Sequence, residues 1–316
     1  MTPPTTVLKS PMRTKEHITT ELAGCVSRAT IIRCNEPLAK HTTLRVGGPA
    51  DVYVEPASEG DLSSVVKFCN ERSLLFFVMG RGSNLLVHDG GFRGVMICLV
   101  HPHFSRIEVA GERLYCGAGA KLKSVTVEAR RSGLSGLEFL EGIPGSVGGA
   151  LRMNAGAMGS TTFDAVESVR FMDYAGKIYE RAGHEMPVEY RCCPLLKNHI
   201  AISAVFKCVR ASREEVEKRM KAFSEKRWKT QPAAPSAGCI FKNPEKIPAG
   251  RLMDELGLKG MRMGGAVVSA EHGNFIVNDG NATTRDILEL IEVLKQRVKA
   301  ERGIDLQTEI EIVGED

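Results

Sequence analysis

Gly142-Ile143-Pro144-Gly145-Ser146-Val147-Gly148-Gly149-Ala150, followed closely by Asn154-Ala155-Gly156-Ala157, is the stretch on which the reading of this chain turns. Glycines and one proline leave so few side chains that the backbone becomes the working surface, and a backbone kept that bare is usually pressed against something large. Two shorter glycine elements lie upstream. Gly80-Arg81-Gly82-Ser83-Asn84 opens like a Gly-x-Gly-x-x-Gly dinucleotide fingerprint, but position 85 is Leu and strand-like residues follow where a helix has to begin. It reads as a strand-to-strand loop whose backbone N–H groups, with Arg81, Ser83 and Asn84, can nest a pyrophosphate. Gly117-Ala118-Gly119-Ala120 precedes a helix, so its amides can face a phosphate or a flat ring. Alone, each short loop is equally compatible with an ordinary tight turn.

The elements around these loops alternate between helix and strand. Ser58, with Asp61 three residues on, caps a helix with Leu62, Val65, Val66 and Cys69 on one face. Leu74 to Met79 and Leu85 to His88 read as strands on either side of the Gly80 loop, and short apolar segments between 95 and 120 read as further strands. A helix from Leu122 to Arg131 is closed by Gly133, and strands follow within 168–179 and 200–209. Ser212 with Glu215 opens a charged helix to about Trp228, Gln231 to Gly238 is a loop or hinge, and a domain boundary falls near 210. The last helix starts at Thr283 with Asp286, turns Ile287, Leu290, Ile291, Leu294 and Val298 inward, and stops at Gly303 before a terminal strand, Gln307 to Val313. The fold class is α+β.

With 316 residues, 43% of them hydrophobic, the chain is long enough for two or three packed units. Its 42 basic and 38 acidic residues leave a net charge of only +4, with no concentrated basic face of the kind nucleic acids need. Nine cysteines without a CxxC pair read as mostly reduced core residues, which excludes a disulfide scaffold. The first 24 residues read as a mobile tail with no secretory core. The longest apolar run, Leu74 to Met79, is far short of the roughly 20 residues that span a bilayer. The expectation is a cytoplasmic protein with no membrane or nucleic-acid partner, a monomer by preference. No His has a second His or a Cys at i+4, so no metal is expected.

Thr43-Leu44-Arg45-Val46-Gly47-Gly48-Pro49-Ala50, the Gly80 to Leu86 loop, Gly142 to Ala150 and Asn154 to Ala157 together resemble the FAD-binding framework of the UDP-N-acetylenolpyruvoylglucosamine reductases. Ala237-Gly238-Cys239-Ile240-Phe241-Lys242-Asn243-Pro244 and Thr308 to Gly314 continue the resemblance, which runs in order over roughly residues 30 to 316. The short connection between Arg210 and Gly238 is similar to the family's compact second type. The resemblance implies an FAD-binding part like that of the vanillyl-alcohol oxidases, in two subdomains at 25–98 and 99–212. The first subdomain is rejoined by 307–316, and a substrate domain spans 213–306. It further implies non-covalent FAD, NADPH as reductant and a UDP-sugar enolpyruvyl ether as substrate. The cofactor residues implied are Gly80, Arg81, Gly82, Ser83, Asn84, Leu85, Gly117, Gly119, Gly142, Ile143, Pro144, Gly145, Ser146, Gly148, Gly149, Ala150, Asn154 and Gly156.

Reduction of an enolpyruvyl ether requires a hydride at the methylene carbon, a proton at its neighbour and polarisation of the adjacent carboxylate. By resemblance Arg191 stabilises the developing enolate, Glu309 helps polarise the carboxylate and Cys239 donates the proton. The commoner family pattern has Ser at that last position, and a thiol of ordinary pKa about 8.5 is the better acid. Read alone, Arg191 is a turn residue, Glu309 alternates with Glu311 along a strand, and Cys239 is an inert buried thiol. Tyr190, Lys229 and Asn243 are weaker candidates for the uridine diphosphate and sugar. Two other readings stay open: a different flavin oxidase or dehydrogenase of the same superfamily, and a non-catalytic nucleotide-binding protein.

Overall fold

A computed structural model describes residues 14–316. Of the expected mobile tail, residues 1–13 lie outside the described residues, and the rest is corrected. Lys15–Ala23 is a helix (α1) capped by the Thr14 hydroxyl, with Ile18 and Leu22 buried four residues apart. They pack with Leu62, Val65 and Val66 of the next helix (α2, Glu59–Glu71), whose Ser58 hydroxyl accepts from Asp61 N as the sequence predicts. Both helices share a core with a four-stranded sheet, ordered Ile31–Pro37, Pro49–Glu55, Phe92–Cys98, Phe76–Met79, through Val52, Val54, Val95 and Ile97. The first two strands are antiparallel and the others pair in parallel, so the carboxyl ends of Phe76–Met79 and Phe92–Cys98 lie side by side, next to the Gly80 loop.

The second unit is a five-stranded antiparallel sheet, ordered Ile178–Ala182, Val166–Met172, Ile200–Lys207, Arg113–Gly117, Ile107–Ala110. Two helices, α3 (Leu122–Arg131) and α4 (Val147–Arg152), bury Leu122, Val125, Val147 and Leu151 in the same core as this sheet. The charged helix α5 (Arg213–Thr230) has the expected Ser212–Glu215 capping box. It belongs here and not to the substrate domain, which corrects the boundary at 213. Phe223 packs against this unit's core, and Arg219 donates to Ser135 Oγ at 2.7 Å and lies 3.5 Å from Glu138.

The third unit pairs a sheet ordered Ser236–Cys239, Phe275–Asn278, Ala266–Val268, Arg262–Met263 with α6 (Ala249–Glu255) and α7 (Thr284–Arg302). The capping box at Thr283, the inward residues of α7 and left-handed Gly303 follow the sequence pattern. The terminal strand is shorter than expected: Glu311–Val313 runs parallel to Leu85–Val87, and upstream only Thr308 makes a bridge, to Phe241. Hydrogen bonds join the third unit to the first. Asp89 accepts from Thr284 N and Arg285 N at 3.0 Å each, and Asn278 Nδ2 donates to Leu44 O at 3.0 Å. Among the described residues no helix is long and apolar enough to cross a membrane.

Candidate active site

A cavity of about 490 Å³ lies where the three units meet. Of the expected cofactor residues it is lined by Gly80 through Leu85, Gly119, Ile143 through Ser146, Gly148 through Ala150, and Gly156. The Gly80 loop is held from behind by Cys98 Sγ donating to Gly80 O at 3.4 Å and by Thr43 N donating to Gly82 O at 3.1 Å. Gly82 has φ +61°, and a Cβ there would sit 2.2 Å from His41 O, so only glycine fits the turn. The amides of Arg81, Gly82 and Ser83 find no backbone acceptor among the described residues. Arg81 Nε is buried without a partner.

The second glycine element works differently from its expectation. Its four amides are all taken internally: Gly117 N by Arg106 O, Ala118 N by Ile202 O, Gly119 N by Phe104 O and Ala120 N by Gly117 O. Its glycines admit other backbone instead, since a Cβ on Gly117 would lie 2.1 Å from Phe104 O and one on Gly119 1.7 Å from Leu99 O. The element braces the long glycine stretch, with Val147 N donating to Ala120 O at 3.0 Å and Gly148 N to Ala118 O at 2.7 Å.

Arg191, Cys239 and Glu309 all reach the cavity. Arg191 sits at φ 56° in a tight turn closed by Glu189 N to Cys192 O, 2.8 Å, a left-handed conformation that a non-glycine residue keeps only when its surroundings impose it. Cys239 ends the strand Ser236–Cys239, where a register shift against Phe275–Asn278 and Gly238 at φ 77° form a bulge that re-aims the side chain. Glu309 is fixed by its own backbone: its N–H donates to Ile240 O at 2.7 Å and its carbonyl accepts from Asn84 Nδ2 at 3.1 Å. Its Oε1 lies 3.0 Å from Arg191 Nε, an ion pair by distance in which the N–H is out of line for a hydrogen bond.

Burial raises the Glu309 carboxyl above its ordinary value, and the Arg191 charge pulls it back. Burial pushes the Cys239 thiol up to about 12; Glu309 pushes the same way, while the charges of Arg191 and Arg227 oppose. Burial thus favours the protonated thiol, the form that a proton donor needs.

Gly117, Gly142 and Asn154 do not line the cavity, nor do Tyr190, Lys229 and Asn243. Gly142 leaves room for Arg227, whose Cδ would stand 2.8 Å from a Cβ there. Asn154 braces the Arg191 turn, its Nδ2 donating to Glu189 O and its Oδ1 accepting from Phe163 N, each at 3.3 Å. Asn243 Oδ1 accepts from Ala249 N at 3.0 Å, which ties down the start of α6. Tyr190 is exposed with the Arg191 guanidinium over its ring, and Lys229 is exposed on α5.

Arg227 and Gln231, which sequence reasoning missed, line the cavity. At about 100° per residue, Arg227 and Lys229 fall on opposite sides of α5. The signal was present: Val216, Met220, Phe223 and Arg227 follow one stripe spaced four, three and four. Arg152, whose guanidinium lies 2.5 Å from Glu311 Oε1, also lines the cavity and was missed.

Residues 231–313 match the family model for the UDP-N-acetylenolpyruvoylglucosamine reductase C-terminal domain, and residues 50–181 match that for an FAD binding domain. The UDP-N-acetylenolpyruvoylglucosamine reductase of Geotalea uraniireducens (strain Rf4) is 44% identical over 287 residues, covering 90% of this chain and 95% of that protein. The chain belongs to the UDP-N-acetylenolpyruvoylglucosamine reductase family. The enzyme of that name from Clostridioides difficile (strain 630) is 42% identical, with 90% and 94% of the two chains covered. The crystal structure of the reductase from Thermus caldophilus superposes with a TM-score of 0.78 at 39% identity, covering 90% of this chain and 98% of that one. The expected α+β fold and the FAD-binding part are borne out. The residues present fit that cofactor: loop amides without backbone acceptors and the unpartnered Nε of Arg81 are a donor set for a pyrophosphate.

Proposed function

We propose that this chain reduces the enolpyruvyl ether of UDP-N-acetylenolpyruvoylglucosamine with NADPH, with Arg191, Glu309 and Cys239 as its catalytic residues. The observation that carries the assignment of roles is that these three side chains, from three distant segments, line one cavity with the Gly80 loop. Bound FAD supplies the hydride-transfer centre that NADPH recharges. The permanent charge of Arg191 meets the negative charge that develops on the substrate's carboxylate and enolate. Glu309, favoured in its neutral form by burial, donates a hydrogen bond to that carboxylate where an ionised glutamate would repel it. The Cys239 thiol, kept protonated, gives its proton to the enolate carbon. Gly80 through Ser83 and Arg81 hold the cofactor's pyrophosphate. Arg227, with its positive charge at the same cavity, is a further candidate for the substrate's diphosphate. We place the enzyme in the cytoplasm as a monomer, to be checked by cell fractionation and sedimentation.

The deciding experiment is Cys239→Ala beside Cys239→Ser. The alanine variant is expected to keep FAD and its reduction by NADPH while substrate reduction falls by about 10²- to 10⁴-fold, the usual contribution of a general acid. Serine should restore turnover. Full substrate reduction by Cys239→Ala would overturn the assignment of the acid. Failure of the native protein to oxidise NADPH when given the enolpyruvyl nucleotide would overturn the activity.

A further inference from the structure

The helix that follows the long glycine stretch ends in an arginine that the assignment of catalytic roles leaves unused. Arg152, the last residue of α4, lines the cavity and spreads its guanidinium over two segments. One nitrogen donates to Leu196 O at 3.0 Å and to Lys197 O at 3.4 Å, where the short 3₁₀ turn Pro194–Lys197 leaves its last carbonyls open. Another donates to Glu311 Oε1 at 2.5 Å. These are the segments that lead away from the reacting pair. Leu196 lies five residues beyond Arg191, and between them Cys193 N donates to the main-chain oxygen of Arg152 at 2.9 Å. Asn154, from the same end of α4, holds the near side of the Arg191 turn through Glu189 O. Glu311 lies two residues beyond Glu309, and its N–H donates to Asn84 O at 3.0 Å.

We propose that Arg152 is a positioning residue for the Arg191–Glu309 pair: its guanidinium ties the segment after Arg191 to the segment after Glu309, and so sets the 3.0 Å separation of the two catalytic groups. The inference rests on the reading of Arg191 and Glu309 as catalytic residues. Those two side chains meet as an ion pair without an aligned N–H, so their separation follows from where the two backbones are put. A planar fork suits the task, because its nitrogens reach acceptors on two segments at once, which a lysine ammonium on its flexible stem does poorly. Arg152 also gives Glu311 a counter-charge of its own. A second carboxylate at the same cavity is thereby kept from competing with Glu309 for Arg191.

The test compares the holoenzyme with Arg152→Met, which keeps an unbranched stem and removes both ties, and with Arg152→Lys, which keeps a charge for Glu311 but loses the fork. Both are expected to retain FAD and its rate of reduction by NADPH. Flavin reoxidation by the enolpyruvyl nucleotide should slow by roughly 10- to 100-fold in Arg152→Met, the usual cost of misplacing a reacting group by about 1 Å, and by less in Arg152→Lys. The loss should fall on kcat more than on KM. Glu311→Gln, which weakens one tie, should cost less than Arg152→Met and add little to it. In an Arg191→Ala background Arg152→Met should have little further effect, since the pair it sets is gone. Unchanged reoxidation in Arg152→Met, equal slowing of both half-reactions, loss of FAD from both variants, or the same loss with and without Arg191 would make Arg152 a general brace and overturn the proposal. If instead Arg191→Ala and Glu309→Gln each leave reoxidation intact, the assignment of catalytic roles fails first, a different and recognisable result.

Discussion

Along Gly80 to Leu85, Ile143 to Ser146 and Gly148 to Ala150 the cavity is lined by glycine-rich backbone segments, whereas its reactive side chains, Arg191, Cys239 and Glu309, come from segments far apart in the sequence. The first wall depends on conformation. At Gly82 a left-handed turn and a carbonyl 2.2 Å from any Cβ leave glycine as the one residue that fits, and the constraint is written within a few positions. The second wall depends on long-range hydrogen bonds. Asn154 holds the Arg191 turn, Asn84 and Ile240 hold Glu309, and Thr43 Oγ1 lies 2.7 Å from Ser236 O at the start of the Cys239 strand. A wall of backbone fails when a single atom is added to it; a wall of side chains loses function gradually as its supports are removed.

The largest effect should come from adding that atom. Gly82→Ala must strain the backbone and displace His41 or Thr42, at a cost of roughly 3 kcal/mol or more. We expect a lower melting temperature and weak FAD retention, read by calorimetry and by absorbance after gel filtration. A variant that kept FAD normally would break the contrast between the walls.

On the other wall, Glu309→Gln should slow substrate turnover by about tenfold, since the amide keeps one donor but the carboxyl's geometry is lost. It also carries a pH signature. The folded carboxyl is raised above its ordinary 4.5, so its neutral form is favoured by folding. The stability it contributes is complete below pH 4.5 and is lost as pH rises through the raised value. Melting temperatures of the native protein and Glu309→Gln should keep a constant offset below pH 4.5, the native protein should then lose ground to the variant as pH rises through the raised value, and the offset should be constant again above it; parallel curves throughout would mean that Glu309 ionises normally.

Smallest of the three, Thr43→Val removes one hydroxyl between the Gly80 loop and the Cys239 strand. About 1 kcal/mol is the expected loss, with FAD binding close to normal and kcat reduced more than KM is raised. Thr43→Ser should recover it. An effect on FAD alone would assign Thr43 to the backbone wall.

The legible parts of the molecule are those decided by neighbours in the chain. Caps at Ser58, Ser212 and Thr283, the stop at Gly303 and the turn at Gly82 follow from residues within three or four positions. Even α1 had a readable signal, a Thr cap with Ile18 and Leu22 one turn apart. Glycine as such says that something approaches closely without saying what. For Gly82 it is His41, for Gly117 it is Phe104, and for Gly142 it is Arg227. That ambiguity makes Gly117 and Gly142 look like cofactor contacts in the sequence, although it is Phe104 and Arg227 that they admit.

By itself the sequence determined the helix starts and stops, the glycine turns and, through their ordered resemblance, the family and its cofactor, because each of these depends on short-range geometry or on a motif kept in order. Tertiary structure alone decided that α5 joins the second unit, which side of α5 faces the cavity, and that Asn154 serves Arg191. It also decided the direction in which the ionisation of Cys239 and Glu309 is shifted. A side chain's ionisation follows from the water it loses and the charges it meets, and both are set by residues that only folding brings near.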